Sequence, residues 1–447
     1  VPTTIVKNST TKNAKYPGNQ DLLDSTPMKA YIVESNKRIE PFDDHPGDCL
    51  IANHKLSKIQ KKVLQSLGIE LKTTPDAAQI EDPDEHIVLG DSLFFTKELI
   101  KEFVDESRRL RKCTTCAIKP GFVTLHTIVP TQSVKIHADR IEYALHYMPT
   151  QRLRGEPVPL VIEPERFSQL IPIPVPEHIR GPKEHCIPIT DRFLIQIDHW
   201  ANLWAANMAT LLTEVARLMK APKLKLLWLA LRAHSLNKWR MLHQTNKIGK
   251  NCDIHPTAYI EGSTIGDNVM IGAGSIIRLS IIGDGTATGS NVTIESSIIG
   301  EECCIDSDCG VFGSVLYPGA VTSSRLIVTS LCGRNTFLAG HTALTDFRLD
   351  GERVAVVKDG VPINTGVLNL GSCLGHGVYL GAGCIVAPGR AIPNGLRILP
   401  EKTSLITKLN PDGTIPGHRK APRRNSHQSC KDTRTSDDNS QQSTPNA

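Results

Sequence analysis

The chain has 447 residues, with 51 Lys and Arg against 46 Asp and Glu, a formal net charge of +5 and hydrophobic residues at 40%. That length suffices for two or three domains with cores of their own, the modest charge gives no general case for nucleic acid, and no apolar run approaches the roughly 18 residues of a membrane span. With no apolar stretch of signal-peptide type near its start, a cytoplasmic protein is the expectation.

Twelve cysteines are scattered along the chain, as suits reduced, buried thiols rather than a disulfide framework. Cys113 and Cys116 form the only CxxC. No second pair stands at zinc spacing, so an ordinary strand with inert thiols is the reading.

In chain order, residues 1–26 are polar and aperiodic and read as a flexible leader. From 27 to 215 the pattern is that of an α/β domain. Strand composition over 28–33 is followed by a short apolar run over 50–52. A helix is predicted over 57–67, from Ile59, Val63, Leu64 and Leu67, with Ser57 placed to cap it and Gly68 to stop it. Ile87, Val88 and Leu89 end in Gly90-Asp91. Thr96 is placed to cap a helix carrying Leu99, Ile100, Phe103 and Val104. Alternating strands and helices predict a parallel sheet.

The order of phrases here resembles the sugar-phosphate nucleotidyltransferases. Met28-Lys29-Ala30-Tyr31-Ile32-Val33 looks like their first strand, 50–56 like their "LPVANKPL" phrase, and Trp200-Ala201-Asn202-Leu203-Trp204 like the phrase that closes such domains. Val88-Leu89-Gly90-Asp91 resembles the strand ending in a magnesium-binding aspartate, so the resemblance implies Asp91 as a metal ligand, with Mg2+ entering only if this domain is active. The chain departs from the family at the phosphate loop. That loop is glycine-rich, because backbone N–H groups must approach a triphosphate closely. Here it reads Glu34-Ser35-Asn36-Lys37-Arg38-Ile39-Glu40-Pro41, and Pro46-Gly47-Asp48 stands where a lysine is expected. Glu34 and Asp48 would repel a phosphate, so a Rossmann-like, nucleotidyltransferase-like domain that has lost its chemistry is expected.

From Pro149 to Pro188 the chain is proline-rich and reads as extended connections. A linker helix is predicted within 216–245. Over 223–242 it mixes Lys223, Lys225, Arg232, Lys238 and Arg240 with Leu224, Leu227, Trp228, Leu231 and Trp239. It reads as a connecting helix packed on the next domain, with peripheral contact to an anionic membrane as the alternative.

Beyond this, aliphatic residues recur in steps of six, six and five: Ile248, Ile254, Ile260, Ile265, Ile271, Ile277, Ile282 and onward. The 17-residue unit carries Ile-Gly at 248, 265, 282 and 299. Steps near six predict a parallel β-helix over 246–400, with three short strands per coil and corners where Gly, Asn and Asp tolerate a left-handed backbone. The count resumes at Cys332, Leu338 and Leu344, breaks over 346–370, and restarts at Leu374, Leu380, Val386, Ile392 and Ile398. From 401 to 447 a mostly disordered basic tail is expected.

Ile254-His255-Pro256-Thr257-Ala258, Leu380-Gly381-Ala382-Gly383 and Ala387-Pro388-Gly389 resemble the hexapeptide-repeat acyltransferases with left-handed β-helices. Taken together the two stretches resemble the bacterial N-acetylglucosamine-1-phosphate uridyltransferase fusions, in patches over 28–215 and over roughly the last third of the folded chain. The resemblance implies a homotrimer, acyl-CoA (acetyl-CoA) as cosubstrate, and a sugar or sugar nucleotide as acceptor. It also implies that the excursion reaches over a groove between subunits. Such enzymes use a histidine to deprotonate the acceptor, so the resemblance implies a histidine base. His341 and His376 flank the excursion and are the candidates, with Asp346, Phe347, Arg348, Asp350, Gly371, Gly375 and Gly377 as candidate substrate-binding residues. The backbone N–H groups over 371–377 are candidate oxyanion donors. Where the family's own histidine would stand, the chain has Thr322. The expected function is acyl, in the first instance acetyl, transfer in a sugar-nucleotide or cell-envelope precursor pathway. The alternatives are sugar-1-phosphate nucleotidyl transfer and a non-catalytic trimeric scaffold or regulator.

Overall fold

The computed structural model describes residues 27–174 and 184–401. The expected leader over 1–26, residues 175–183 of the proline-rich connection, and the tail from 402 onward lie outside the described residues.

The α/β domain is built on β1 (Lys29–Val33), β2 (Glu70–Thr74), β3 (His86–Gly90), β4 (Thr114–Ile118), β5 (Ile141–Met148) and β6 (Val158–Ile162). They lie in the order β6-β4-β5-β3-β1-β2, with a short strand at Lys135–Ile136 on β5. β1 is parallel to β2 and β3, and β6 to β4, but β5 runs antiparallel to both its neighbours. The sheet is therefore mixed, not parallel. In β5 the alternate residues Ile141, Tyr143, Leu145 and Tyr147 are buried, the period-2 pattern of a strand with one face toward a core.

Helix α1 (Leu56–Gln65) starts one residue before the predicted Ser57 cap and ends before Gly68, which takes φ 72°. Helix α2 (Lys97–Leu110) has Thr96 at its N-cap, but the hydroxyl accepts from the Phe193 N–H at 3.1 Å instead of capping. Cys113 and Cys116 are both buried, and burial pushes the Cys116 thiol well above its ordinary pKa. Next come α3 (Trp200–Met219), α4 (Lys223–Ala233) and α5 (Lys238–His243), so the predicted linker helix is two helices. Among the described residues, no helix is long and apolar enough to cross a membrane.

Residues 247–398 form the left-handed parallel β-helix, in three stacks of short parallel strands. Ile248, Ile265, Ile282, Ile299, Leu316, Cys332, Leu374 and Ile392 pair rung on rung along one wall. Ile265, Ile282 and Ile299 are no more than 2% exposed, as a shared lumen requires. The terminal Ile248 is 52% exposed because no coil lies beyond it. Corner residues carry the left-handed backbone at Asn251, Asn268, Gly285, Glu302, Gly319, Asn335 and Gly377.

The glycine that follows most of the inner residues on this wall, though not Leu316 or Ile392, answers a different need. A Cβ on Gly283 would stand 2.5 Å from the backbone carbonyl carbon of Gly300 and 2.6 Å from the Glu301 nitrogen. Backbone cannot give way as a side-chain end can. Gly283→Ala is therefore expected to prise two coils apart at a cost of about 1–3 kcal/mol, seen as a lowered thermal midpoint. An unchanged midpoint would show that the coils have slack.

The two domains share one core. Ile39, Phe42, Ile51, Phe193, Ile195 and Trp200 of the α/β domain pack with Ile298, Val315, Tyr317, Leu331 and Cys373, which point outward from the first wall of the β-helix. That wall is thus covered within the chain. The described residues up to Leu399 fall in a single compact unit.

Candidate functional site

The segment that follows β1 is where the sequence places its degenerate phosphate loop. It folds back through an isolated bridge between Ile39 and Asp44 and buries Ile39, Phe42 and Cys49. Phe42 stacks on Tyr317 (ring centroids 5.7 Å apart, planes at 21°) and lies 4.9 Å from the His376 ring. Its carbonyl accepts from Asn394 Nδ2 at 2.9 Å. The Tyr317 hydroxyl accepts from the Leu50 N–H at 2.9 Å and donates to the Leu50 carbonyl at 3.1 Å. Asn53 Nδ2 donates to the Ile299 carbonyl, and Trp204 Nε1 to that of Gly313. These junction groups are hydrogen-bonded, as a desolvated interface demands, whereas the buried Trp200 Nε1 makes no hydrogen bond among the described residues.

At its centre Arg334 contacts Asp44 at 2.8 Å, beside His376 at 3.3 Å. The Arg334 backbone N–H donates to His376 Nδ1 at 2.8 Å. The other ring nitrogen, Nε2, lies 2.8 Å from Arg334 Nη1 and 3.3 Å from the Asp44 carboxylate, so both ring nitrogens are engaged. Burial alone would raise the Asp44 pKa, but the hydrogen bonds from His376 and Arg334 outweigh it and hold the carboxyl below its ordinary value. His376 therefore has no free lone pair for proton abstraction. This corrects its reading as a base: it is a strut between the domains.

The same loop fixes Asp91. Its carboxylate accepts from the Ser35 N–H at 2.7 Å and the Ser35 hydroxyl at 3.0 Å, with His45 Nε2 at 3.3 Å. These are proton donors, not fellow ligands, and among the described residues no group of three His, Cys, Asp or Glu side chains is placed to hold a metal. The set does not fit Mg2+. Asp91 anchors the loop. Lys37 adds a second anchor, 2.6 Å from Asp198. Burial tends to raise Asp198, but Lys37 and the Ser133 N–H together hold it below its ordinary pKa. Of the two acids expected to repel phosphate, Asp48 pairs with Lys55 at 2.8 Å.

The excursion over 346–370 does not reach out over a groove. It carries a hairpin, Ala355–Lys358 with Val361–Asn364, and buries Val354, Val356, Val367 and Leu370 against the α/β domain of its own chain. Lys358 Nζ donates to the Thr131 carbonyl at 2.8 Å, and His199 Nε2 donates to that of Val357 at 3.1 Å. His199 Nδ1 accepts from the Ala201 N–H, so the ring is neutral. Burial pushes its pKa down from 6.5 to about 4.

Below pH 6.5 the unfolded chain therefore takes up a proton at this site that the folded chain refuses. Stability is expected to fall between pH 6.5 and about 4, by on the order of 3 kcal/mol. Denaturant titrations at pH 7 and 4.5 would show this for the native protein and a flatter dependence for His199→Gln. Equal slopes would contradict it. The depressed carboxylates of Asp44 and Asp198 lose their stabilising effect only at lower pH, below the carboxylate's usual 3.8.

Gly371, Gly375 and Gly377 are likewise corrected as oxyanion donors. Their N–H groups donate to the carbonyls of Thr329, Ile392 and Arg334 at 2.8–3.0 Å within the stacked coils, and the His376 N–H donates to Asn394 Oδ1. Thr322 is fully buried in the lumen between Ile305 and Leu338.

Beside the excursion is a depression of about 490 Å³ lined by Thr345, Phe347, Arg348, Leu349, Asp350 and Pro388. Arg348 hydrogen-bonds Asp350 and holds its carboxyl down to about 2. Asp346 is turned to Asn369, which donates to it at 3.0 Å. His341 is exposed on the corner just before the strand Ala343–Leu344 that leads to Thr345, with φ 61° like its column mates Asn291 and Asp308. Its ring makes no hydrogen bond among the described residues. The structure thus separates the candidates, leaving His341 free while His376 is locked.

Phe42, Asp44, Tyr317 and Arg334 are not among the residues that the sequence singles out. No local signal marks them, since Asp44 and Arg334 are 290 residues apart.

A protein-family model described as the GMPPB C-terminal domain matches residues 236–330. No curated protein matches the chain. Among solved structures, a Bacillus cereus protein described as an acetyltransferase is 17% identical over 35% of this chain and 80% of its own, at a TM-score of 0.17. GDP-perosamine N-acetyl transferase from Caulobacter crescentus, solved with CoA and GDP-perosamine, is 18% identical over 34% of this chain, at a TM-score of 0.13. The acetyltransferase domain of PglB from Neisseria gonorrhoeae is 18% identical over 33% of this chain, at a TM-score of 0.13. The chain spans about half the length of these last two, 54% in each case.

Proposed function

We propose that the chain is an acyltransferase of sugar-nucleotide chemistry, moving an acyl group from acyl-CoA to an amino or hydroxyl group of a sugar, with His341 as the base. The observation that carries this reading is the exposed His341 ring, whose nitrogens are uncommitted, on the coil whose next strand leads to the rim of the depression. A neutral imidazole can accept the acceptor's proton near neutral pH. The acceptor then forms its bond to the thioester carbonyl as the C–S bond breaks, and the CoA thiolate leaves with a proton. Phe347, Leu349 and Pro388 offer apolar surface for the thioester arm, and the Arg348–Asp350 ion pair stands beside them. A homotrimer, in which a neighbouring copy closes the open side, belongs to this proposal. The α/β domain contributes packing and not nucleotidyl transfer, because its loop is committed to the junction.

A second reading, a non-catalytic scaffold or regulator, is favoured by that same junction. Both segments expected to carry chemistry, the loop after β1 and the excursion, are used to hold the two domains together. Radiolabelled acetyl-CoA incubated with the protein and a panel of amino-sugar phosphates separates the readings. Labelled sugar supports acyl transfer, whereas no labelled sugar with any acceptor overturns it in favour of the scaffold.

A further inference from the structure

From Val215 to Cys252 the chain has nine Lys and Arg and no Asp or Glu. Arg217 and Lys220 are paired, with Glu98 and Asp191. Among the described residues the other seven, Lys223, Lys225, Arg232, Lys238, Arg240, Lys247 and Lys250, form no ion pair. In this stretch lies α4, whose buried residues are only Leu229 and Ala230. Its large apolar residues face outward: Leu224 is 78% exposed, Leu227 56%, Trp228 53% and Leu231 66%. Their spacing of three, four and seven places them in one stripe along the helix. The stripe continues past the helix into Leu236, 88% exposed, and Trp239, 46% exposed. A connecting helix that packs its apolar side on the β-helix would show the reverse. The short α5 meets the first coil, through Leu242 and Gly262.

We infer that α4 and α5 form a docking surface for an anionic lipid bilayer, with the leucine and tryptophan stripe entering the headgroup region and the unpaired cations on the lipid phosphates. An apolar stripe alone does not say what covers it. The flanking charge does: seven unpaired cations, in a stretch of sequence that carries no acid, match a surface of high negative charge density, and helices with this division lie in the membrane interface. Arg232 lies 5.4 Å from the Trp228 ring centre and Lys238 lies 4.6 Å from that of Trp239. Each cation thus stands beside an aromatic ring of the kind that settles at headgroup depth.

The test is co-sedimentation of the full chain with vesicles of phosphatidylcholine alone or mixed with phosphatidylserine. Binding is expected to the mixed vesicles and to weaken with added salt. Leu227→Glu with Leu231→Glu, at exposed positions that leave the core intact, is expected to weaken it by roughly tenfold or more, as is Lys223→Glu with Lys225→Glu. Equal binding to both vesicle types, or variants that bind as the native chain does, would overturn the inference. So would variants that change the oligomeric state in solution without changing vesicle binding, since the stripe would then be a protein contact.

Discussion

Phe42→Ala is expected to lower the stability of the protein by about 3–5 kcal/mol and to split a single unfolding transition into two. The ring is 2% exposed and is held between Tyr317 and His376, so its removal leaves a cavity at the one place where the loop, the α/β domain and the outer wall of the β-helix meet. The electrostatic half of the junction adds to this. Removing Asp44 would leave the Arg334 guanidinium without its carboxylate in a partly desolvated site, and breaking such a pair costs on the order of 3–5 kcal/mol when burial is complete. Arg334 is 33% exposed and Asp44 18%, so a smaller loss, about half that, is expected for Asp44→Ala. Calorimetric scans of the two single variants and the double variant measure both losses and their coupling. Additive losses with one sharp transition throughout would mean that the two domains do not depend on this contact.

The two histidines flanking the excursion are expected to behave oppositely. His341→Ala is expected to lower kcat for acyl transfer by about 10²–10⁴ with no change in melting temperature, because the ring is exposed and touches no hydrogen-bond partner. His376→Ala is expected to lower the melting temperature, because it removes a ring packed on Phe42 and the acceptor of the Arg334 N–H. It is expected to leave kcat nearly unchanged at a temperature where the variant is folded. Kinetics and melting curves on the same preparations read both quantities. Loss of turnover in a fully folded His376→Ala variant would reverse the assignment.

The β-helix was legible from the sequence because its physics is local and repeated. Each coil must bury an aliphatic directly above the last, so stacking writes itself into the spacing, and the rungs through Ile265, Ile282 and Ile299 fall where the period puts them. The interruption over 346–370 was legible for the same reason, as a gap in the count. Its destination was not, since nothing in Val354 or Val356 says which surface will bury them. The α/β domain was readable as strands and helices, but β5 escaped notice, and with it the antiparallel pairing. The loss of the phosphate loop could be read from missing glycines and misplaced acids. Its replacement could not, because an ion pair between Asp44 and Arg334 joins a loop and a corner that look ordinary in isolation. Of the candidate site, the placement of His341 and His376 on either side of the excursion was visible. Which ring nitrogens are free depends on partners that only the fold supplies.

Backbone hydrogen exchange over residues 35–49 of the intact protein, measured with and without a magnesium nucleoside triphosphate and a sugar phosphate, addresses the central claim that this loop is a clasp and not a nucleotide cradle. Slow exchange at the Ile39, Phe42 and Cys49 amides, unchanged by the ligands, is the predicted result. Fast exchange that slows when nucleotide is added would mean that the loop is open and binds phosphate, and would contradict the account.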